Sequence, residues 1–213
     1  MEFFRRSAGH PKRLGVLPGS FNPVTVAHLA LAAAGLHVAD EVVFVLPREF
    51  PHKTYLGASF TQRMEVLSSA VHEFPQFSIA AAEGGLLLEI AAECRAAYGS
   101  DVRQSFLCGR DAAERIVSWD YGRSGALLEM VSQFDFLVAA RHGDYNAPTG
   151  EAAECAGAFQ RLELSGEYDS VSASELRDRI AAGLPWEDLV PPAVRRRVRE
   201  IYAPTGRNSQ PAE

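Results

Sequence analysis

The chain has 213 residues, 47% of them hydrophobic and 23% charged, with 12 Phe, 6 Tyr and 2 Trp. That suits one ordinary domain with material for a core. Lys+Arg 21 against Asp+Glu 27 gives a net charge of -6, which argues against a generally basic nucleic-acid coat but leaves room for local phosphate pockets. Cys94, Cys108 and Cys155 are odd in number and lack a C-x-x-C pair, which argues against a disulfide framework or a cysteine zinc site. A reducing cytoplasm is then the natural setting. Behind Met1-Glu2-Phe3-Phe4-Arg5-Arg6 there is no apolar run of the secretory type, and no stretch approaches the ~18 apolar residues of a membrane span. The expectation is a soluble cytoplasmic chain with no membrane partner. Only Lys12 and Lys53 are lysines, so a lysine inside a motif carries information.

Residues 1–12 read as an N-terminal extension. The first buried strand is Arg13-Leu14-Gly15-Val16-Leu17, stopped by Pro18-Gly19. Val26 to His37 has helical apolar spacing, and Glu41 to Pro47 is a second continuous apolar strand. Such runs suit a parallel sheet covered on both faces. The alternation continues with a helix over 60–71, a strand over 77–80, a helix over 85–98 and a strand over 104–108 that ends at Gly109. Short helices over 111–117 and 125–131 precede a strand over 134–139. Residues 143–157 form a connection without periodicity. A strand over 159–164 and helices over 174–182 and 192–201 complete the domain, read as 13–202. Residues 203–213 are a polar tail expected to be disordered. Alternating strands and helices predict an α/β fold with a mainly parallel sheet, whose ligand loops follow the strands.

The sharpest motif is Gly19-Ser20-Phe21-Asn22-Pro23-Val24-Thr25-Val26-Ala27-His28. Gly19 permits a tight turn, and a helix N-terminus near Val26 offers unpaired N–H groups to phosphate. Thr25 and His28 lie three apart, so a hydroxyl and an imidazole share one face. The alternative is plain strand–turn–helix architecture, with Asn22 or Thr25 as cap and His28 buried. The run as a whole favours phosphate.

This segment resembles the nucleotidyltransferase superfamily of the G-x-F-x-P-x-H-x-G-H type, with Thr25 at the first histidine and Ala27 at the second glycine. Its second signature, I-S-S-T-x-I-R, is similar to Val171-Ser172-Ala173-Ser174-Glu175-Leu176-Arg177. Read as residues, Ser172 and Ser174 put hydroxyls at a helix start and Arg177 adds a guanidinium, a set that suits polyphosphate. A Ser N-cap with Glu175 in the first turn is the structural alternative.

Three further segments resemble the nicotinate/nicotinamide-nucleotide adenylyltransferase branch. They are Phe50-Pro51-His52-Lys53, Phe106-Leu107-Cys108-Gly109-Arg110-Asp111 with Trp119 beyond it, and Leu137-Val138-Ala139-Ala140-Arg141-His142-Gly143. The similarity spans residues 13–202. It implies a Rossmann-like, doubly wound, three-layer α/β/α fold and adenylyl transfer from ATP to a pyridine mononucleotide, with Mg²⁺ carried by the phosphates. It implies His28, Lys53 and Arg177 as catalytic groups, and Gly19, Ser20, Phe21, Thr25, Ser172 and Ser174 around ATP. Asp111, Trp119 and Arg141 would meet the mononucleotide. By residue type alone, Asp111 is equally a helix cap, Trp119 a core anchor and Arg141 a structural ion, while Lys53, one of two lysines and in a loop after a strand, is better read as a phosphate contact than as a solvated loop residue.

No P-loop, dinucleotide G-x-G-x-x-G, serine elbow or His-rich metal cluster occurs. The rivals are another transferase of the superfamily, acting on phosphopantetheine or by cytidylyl transfer, and a catalytically silent nucleotide-binding protein. The choice between nicotinate and nicotinamide, and self-association, stay open at this level.

Overall fold

The computed structural model describes residues 1–49, 57–139 and 150–203. Its strands are β1 (Glu2–Arg5), β2 (Arg13–Pro18), β3 (Glu41–Pro47), β4 (Phe77–Ala82), β5 (Arg103–Gly109), β6 (Asp135–Ala139) and β7 (Phe159–Leu162). They form one sheet in the order β1-β4-β3-β2-β5-β6-β7. All neighbours from β4 to β7 pair in parallel. The helices are α1 (Val26–Gly35), α2 (Phe60–Ala70), α3 (Leu87–Tyr98), α4 (Arg110–Ser118), α5 (Ala126–Gln133), α6 (Ala173–Ala182) and α7 (Arg195–Tyr202).

The continuous apolar runs become the buried strands. Every residue of β3 is buried, and its side chains alternate between two cores. Val42, Phe44 and Leu46 face α1, α2, α6 and α7, while Val43 and Val45 face α3, α4 and α5. Each such large side chain contributes about 1.5–3 kcal/mol on full burial. Helices on both faces of a parallel sheet make the three-layer α/β/α architecture. Gly35 ends α1 against the sheet: a Cβ there would stand 2.4 Å from Leu107 Cδ2.

The chain winds outward from β2 through β3 to β4, then crosses to β5 on the other side of β2. The strand order therefore reverses between β2 and β5, where a doubly wound sheet opens its ligand crevice. Two elements differ from the sequence expectation. Residues ahead of position 13 add an antiparallel edge strand, with Phe3 opposite Ala80; Phe3 also packs edge-on against Tyr98 at 5.6 Å. Four residues are too few to display a period. The last helix begins at Arg195 behind a single tight turn at Pro192–Val194, where the Val194 amide donates to Pro191 O at 3.0 Å.

Candidate active site

A cleft of about 1050 Å³ opens at the carboxyl ends of β2, β5 and β6. One wall is polar, built from Ser20, Asn22, Thr25, His28, Ser174 and Arg177; Ser172 joins them. The opposite wall includes Cys108, Gly109, Ala112, Arg115 and Ile116 from the end of β5 and from α4. The two superfamily motifs, far apart in sequence, thus share one cavity.

The loop after β2 is locally unusual. Phe21 has φ 42°, which costs a residue with a Cβ about 1–3 kcal/mol and persists only where surroundings enforce it. Here the ring is fully buried and meets Phe44 at 5.6 Å and His28 edge-on at 5.3 Å. Gly19 is required by that ring: a Cβ on Gly19 would lie 3.0 Å from Phe21 Cε1 and Cζ. The Gly19 amide donates to Val45 O at 3.0 Å, which ties the loop to β3. The Asn22–Pro23 peptide is cis.

Thr25 is the N-cap residue of α1 without a side-chain cap bond, and His28 at N3 supplies the returning half of a capping box. The Thr25 amide donates to His28 Nδ1 at 3.0 Å, and Thr25 Oγ1 lies 2.8 Å from the same nitrogen. A backbone N–H can only donate, so Nδ1 accepts and the neutral ring carries its proton on Nε2. Thr25 thus stands at the helix start, and His28 lines the cleft with its ring oriented by Thr25 and Phe21. Ala27 is buried and also lines the cleft.

At α6, Ser172 is the N-cap, and its hydroxyl accepts from the Glu175 amide at 3.0 Å. Arg177 Nη2 donates to Ser174 Oγ at 3.2 Å, and Nη1 donates to Asn22 O at 2.5 Å. That second bond joins the two motifs directly. Around the same loop, Arg63 Nη1 donates to Ser20 O at 2.9 Å and the Tyr202 hydroxyl donates to Asn22 Oδ1 at 2.6 Å.

Asp111 stands exposed in the first turn of α4, whose N-cap is Gly109 without a side-chain cap. Trp119 is 47% exposed at the end of α4. Neither is among the residues lining the cleft. Lys53 and Arg141 lie outside the described residues. No motif singles out Arg115, a cleft-lining cation that no carboxylate pairs with among the described residues. Its neighbour Arg110 is held by Glu114 at 2.7 Å. The Cys108 thiol lies in the cleft wall, where burial pushes it up to about 12; it is a neutral wall group, not a nucleophile.

Among the described residues no group of three His, Cys, Asp or Glu could hold a metal ion. Among the described residues that line the cleft, none is a carboxylate. No helix among the described residues is long and apolar enough to cross a membrane.

The fold and paired phosphate motifs define a nucleotidyltransferase, and the cytidylyltransferase-like family model matches residues 16–179. The chain belongs to that family. A probable nicotinate-nucleotide adenylyltransferase of Bordetella avium is 30% identical over 91% of this chain and 99% of its own. A phosphopantetheine adenylyltransferase of Symbiobacterium thermophilum is 31% identical over 89% of this chain and 96% of its own. In fold, the chain is similar to the nicotinic acid mononucleotide adenylyltransferase of Plasmodium falciparum solved with NaAD. That likeness has a TM-score of 0.69 at 17% identity, over 89% of this chain and 95% of that one.

Proposed function

We propose that the protein transfers the adenylyl group of Mg-ATP to nicotinate mononucleotide, releasing pyrophosphate in the formation of a dinucleotide of the NAD type. The observation that carries this reading is the Arg177–Asn22 bond, which brings both phosphate motifs to one cleft at the switch point of the sheet. Similarity to nicotinate-nucleotide adenylyltransferases over nearly the whole chain supports the acceptor.

An oxygen of the mononucleotide phosphate attacks the α-phosphorus in line. One P–O bond forms as the bond to the β-phosphate oxygen breaks, and that oxygen leaves with the electron pair as pyrophosphate. Such a reaction asks the protein for positioning and charge neutralisation rather than for a covalent nucleophile. His28 Nε2–H donates to the oxygens where negative charge grows. Ser174 and Arg177 hold the β- and γ-phosphates at the start of α6, where unpaired amide groups add to the attraction. Ser172 keeps that helix start in place. Lys53 neutralises phosphate charge, Asp111 meets the ribose, and Trp119 and Arg141 meet the mononucleotide. Magnesium shields the triphosphate as part of the substrate.

The Symbiobacterium relative favours phosphopantetheine as a second acceptor. Purified protein with Mg-ATP is offered nicotinate mononucleotide, nicotinamide mononucleotide and phosphopantetheine separately, with pyrophosphate and the adenylylated product measured. Nicotinate mononucleotide is expected to turn over fastest. Turnover of phosphopantetheine alone would replace the acceptor, and ATP binding without turnover would remove the transferase reading.

A further inference from the structure

The loop that carries Ser20 and Asn22 is gripped from behind by residues that stand outside the cleft. Arg63, on α2, is only 6% exposed, and its Nη1 donates to Ser20 O at 2.9 Å. Burying a guanidinium is expensive unless its bonds are satisfied, so a buried arginine aimed at a loop carbonyl is retained for what it holds. Tyr202, at the end of α7, donates its hydroxyl to Asn22 Oδ1 at 2.6 Å. Asn22 itself is 5% exposed, and its carbonyl takes Arg177 Nη1. Burial raises the Tyr202 phenol, while the positive charges of Arg63 and Arg177 act on it in the opposite sense. The three side chains therefore converge on one loop, Arg177 from the cleft wall and Arg63 and Tyr202 from outside the lining, although α2, α6 and α7 supply them separately.

The loop needs such a hold. Phe21 sits between the two anchored residues in a left-handed conformation that its own sequence does not favour. The carbonyls of Ser20 and Asn22 are next to a cavity meant for polyphosphate. A carbonyl swung into that cavity would repel phosphate, and a guanidinium bond to each one prevents the swing. Arg177 also spends one of its nitrogens on Asn22, so the place of that guanidinium depends on where Asn22 stands.

We infer that Arg63 and Tyr202 are positioning residues for adenylyl transfer: they fix the Ser20 carbonyl and the Asn22 side chain, and through them the phosphate loop and Arg177. The inference rests on the transferase reading above. It makes the docking of the last helix a condition for ATP binding, although α7 contributes no residue to the cleft lining.

The test uses the full chain with Arg63→Met, Arg63→Lys and Tyr202→Phe, assayed with ATP and nicotinate mononucleotide varied in turn, well below each variant's melting temperature. Loss of a neutral hydrogen bond in Tyr202→Phe is expected to lower kcat/KM for ATP about three- to tenfold, and loss of the charged one in Arg63→Met about ten- to a hundredfold. Arg63→Lys should recover part of the loss, and KM for the mononucleotide should stay at its wild-type value. Folded variants with wild-type constants for ATP, or a parallel rise in KM for both substrates, would overturn the inference. If Arg63→Met does not fold, Tyr202→Phe decides alone, since it removes one hydroxyl and keeps the ring. If the wild-type protein makes no dinucleotide, the transferase reading fails by itself. The same variants are then compared by calorimetric titration with Mg-ATP, where weaker binding in Tyr202→Phe keeps the inference and unchanged binding ends it.

Discussion

His28 holds two separable positions in the structure, and two substitutions pull them apart. Its Nδ1 accepts from the Thr25 amide, the N3 half of a capping box, while its Nε2–H is the donor proposed for phosphate. His28→Ala deletes both. Losing one donor aimed at the transition state costs about 2.7–4 kcal/mol, or ~10²–10³ in kcat. Losing a cap costs about 0.5–2 kcal/mol, and at about 2–4 °C per kcal/mol for a chain of this size the melting temperature falls by roughly 1–8 °C. His28→Glu behaves differently. Thr-x-x-Glu is itself a capping box, and a carboxylate in the first turn suits the helix dipole. Its melting temperature should therefore return towards wild type, while kcat stays at or below that of the alanine variant because a carboxylate cannot donate and repels phosphate. Thermal unfolding and steady-state pyrophosphate release measure the two effects independently. Wild-type kcat in either variant refutes the donor assignment. An equal loss of melting temperature in both refutes the capping role.

Gly19→Ala places a methyl 3.0 Å from the Phe21 ring, and overpacking of that kind costs about 1–3 kcal/mol. Because the ring supports His28 edge-on, both melting temperature and kcat should fall; a stable variant of unchanged kcat would show that the ring does not orient the imidazole. Arg115→Gln removes a cleft-lining cation, on the wall across from Arg177, that no carboxylate pairs with among the described residues. A charge-assisted hydrogen bond is worth about 1.5–3 kcal/mol, so kcat/KM for nicotinate mononucleotide should drop about tenfold or more while that for the nicotinamide form changes little. An equal drop for both acceptors would place Arg115 on the phosphate they share.

The sheet was legible because β2, β3, β4 and β6 are almost wholly buried and read as largely apolar runs, while β5 carries a short one at Phe106-Leu107-Cys108 that stops at Gly109. β1 was not, since its four residues at a sheet edge alternate between exposed and half-buried. The motif residues Ser20, Thr25, His28, Ser172, Ser174 and Arg177 come together in one cleft as their types suggest. What the sequence could not show is the hold on the loop. Arg63 and Tyr202 lie 43 and 180 residues from their partners, and one of those partners is a backbone carbonyl, which leaves no mark on residue choice. Arg115 was hidden for another reason. Its approach to the cleft depends on the rotational phase of α4, which Ala112 and Ile116 reveal only once the helix is docked. Asp111 and Trp119 mark the opposite case: their proposed roles come from the family resemblance, since residue type alone leaves them open and neither is among the residues lining the cleft.

Capping and phosphate binding, which compete as explanations of these motifs in the sequence, ask for the same place on a helix. A cap residue stands where the unpaired N–H groups of a helix open, and that is where an anion is attracted. Thr25 and Ser172 occupy that place at α1 and α6, and both helix starts face the same cleft. The departure from histidine at position 25 then has a local cause. Threonine is a favoured N-cap, and here its amide and hydroxyl address His28 Nδ1, so the replacement gives up one imidazole while fixing the orientation of the other. A protein that had lost catalysis would have no reason to keep that second ring oriented, nor to hold Arg177 against the loop that carries it.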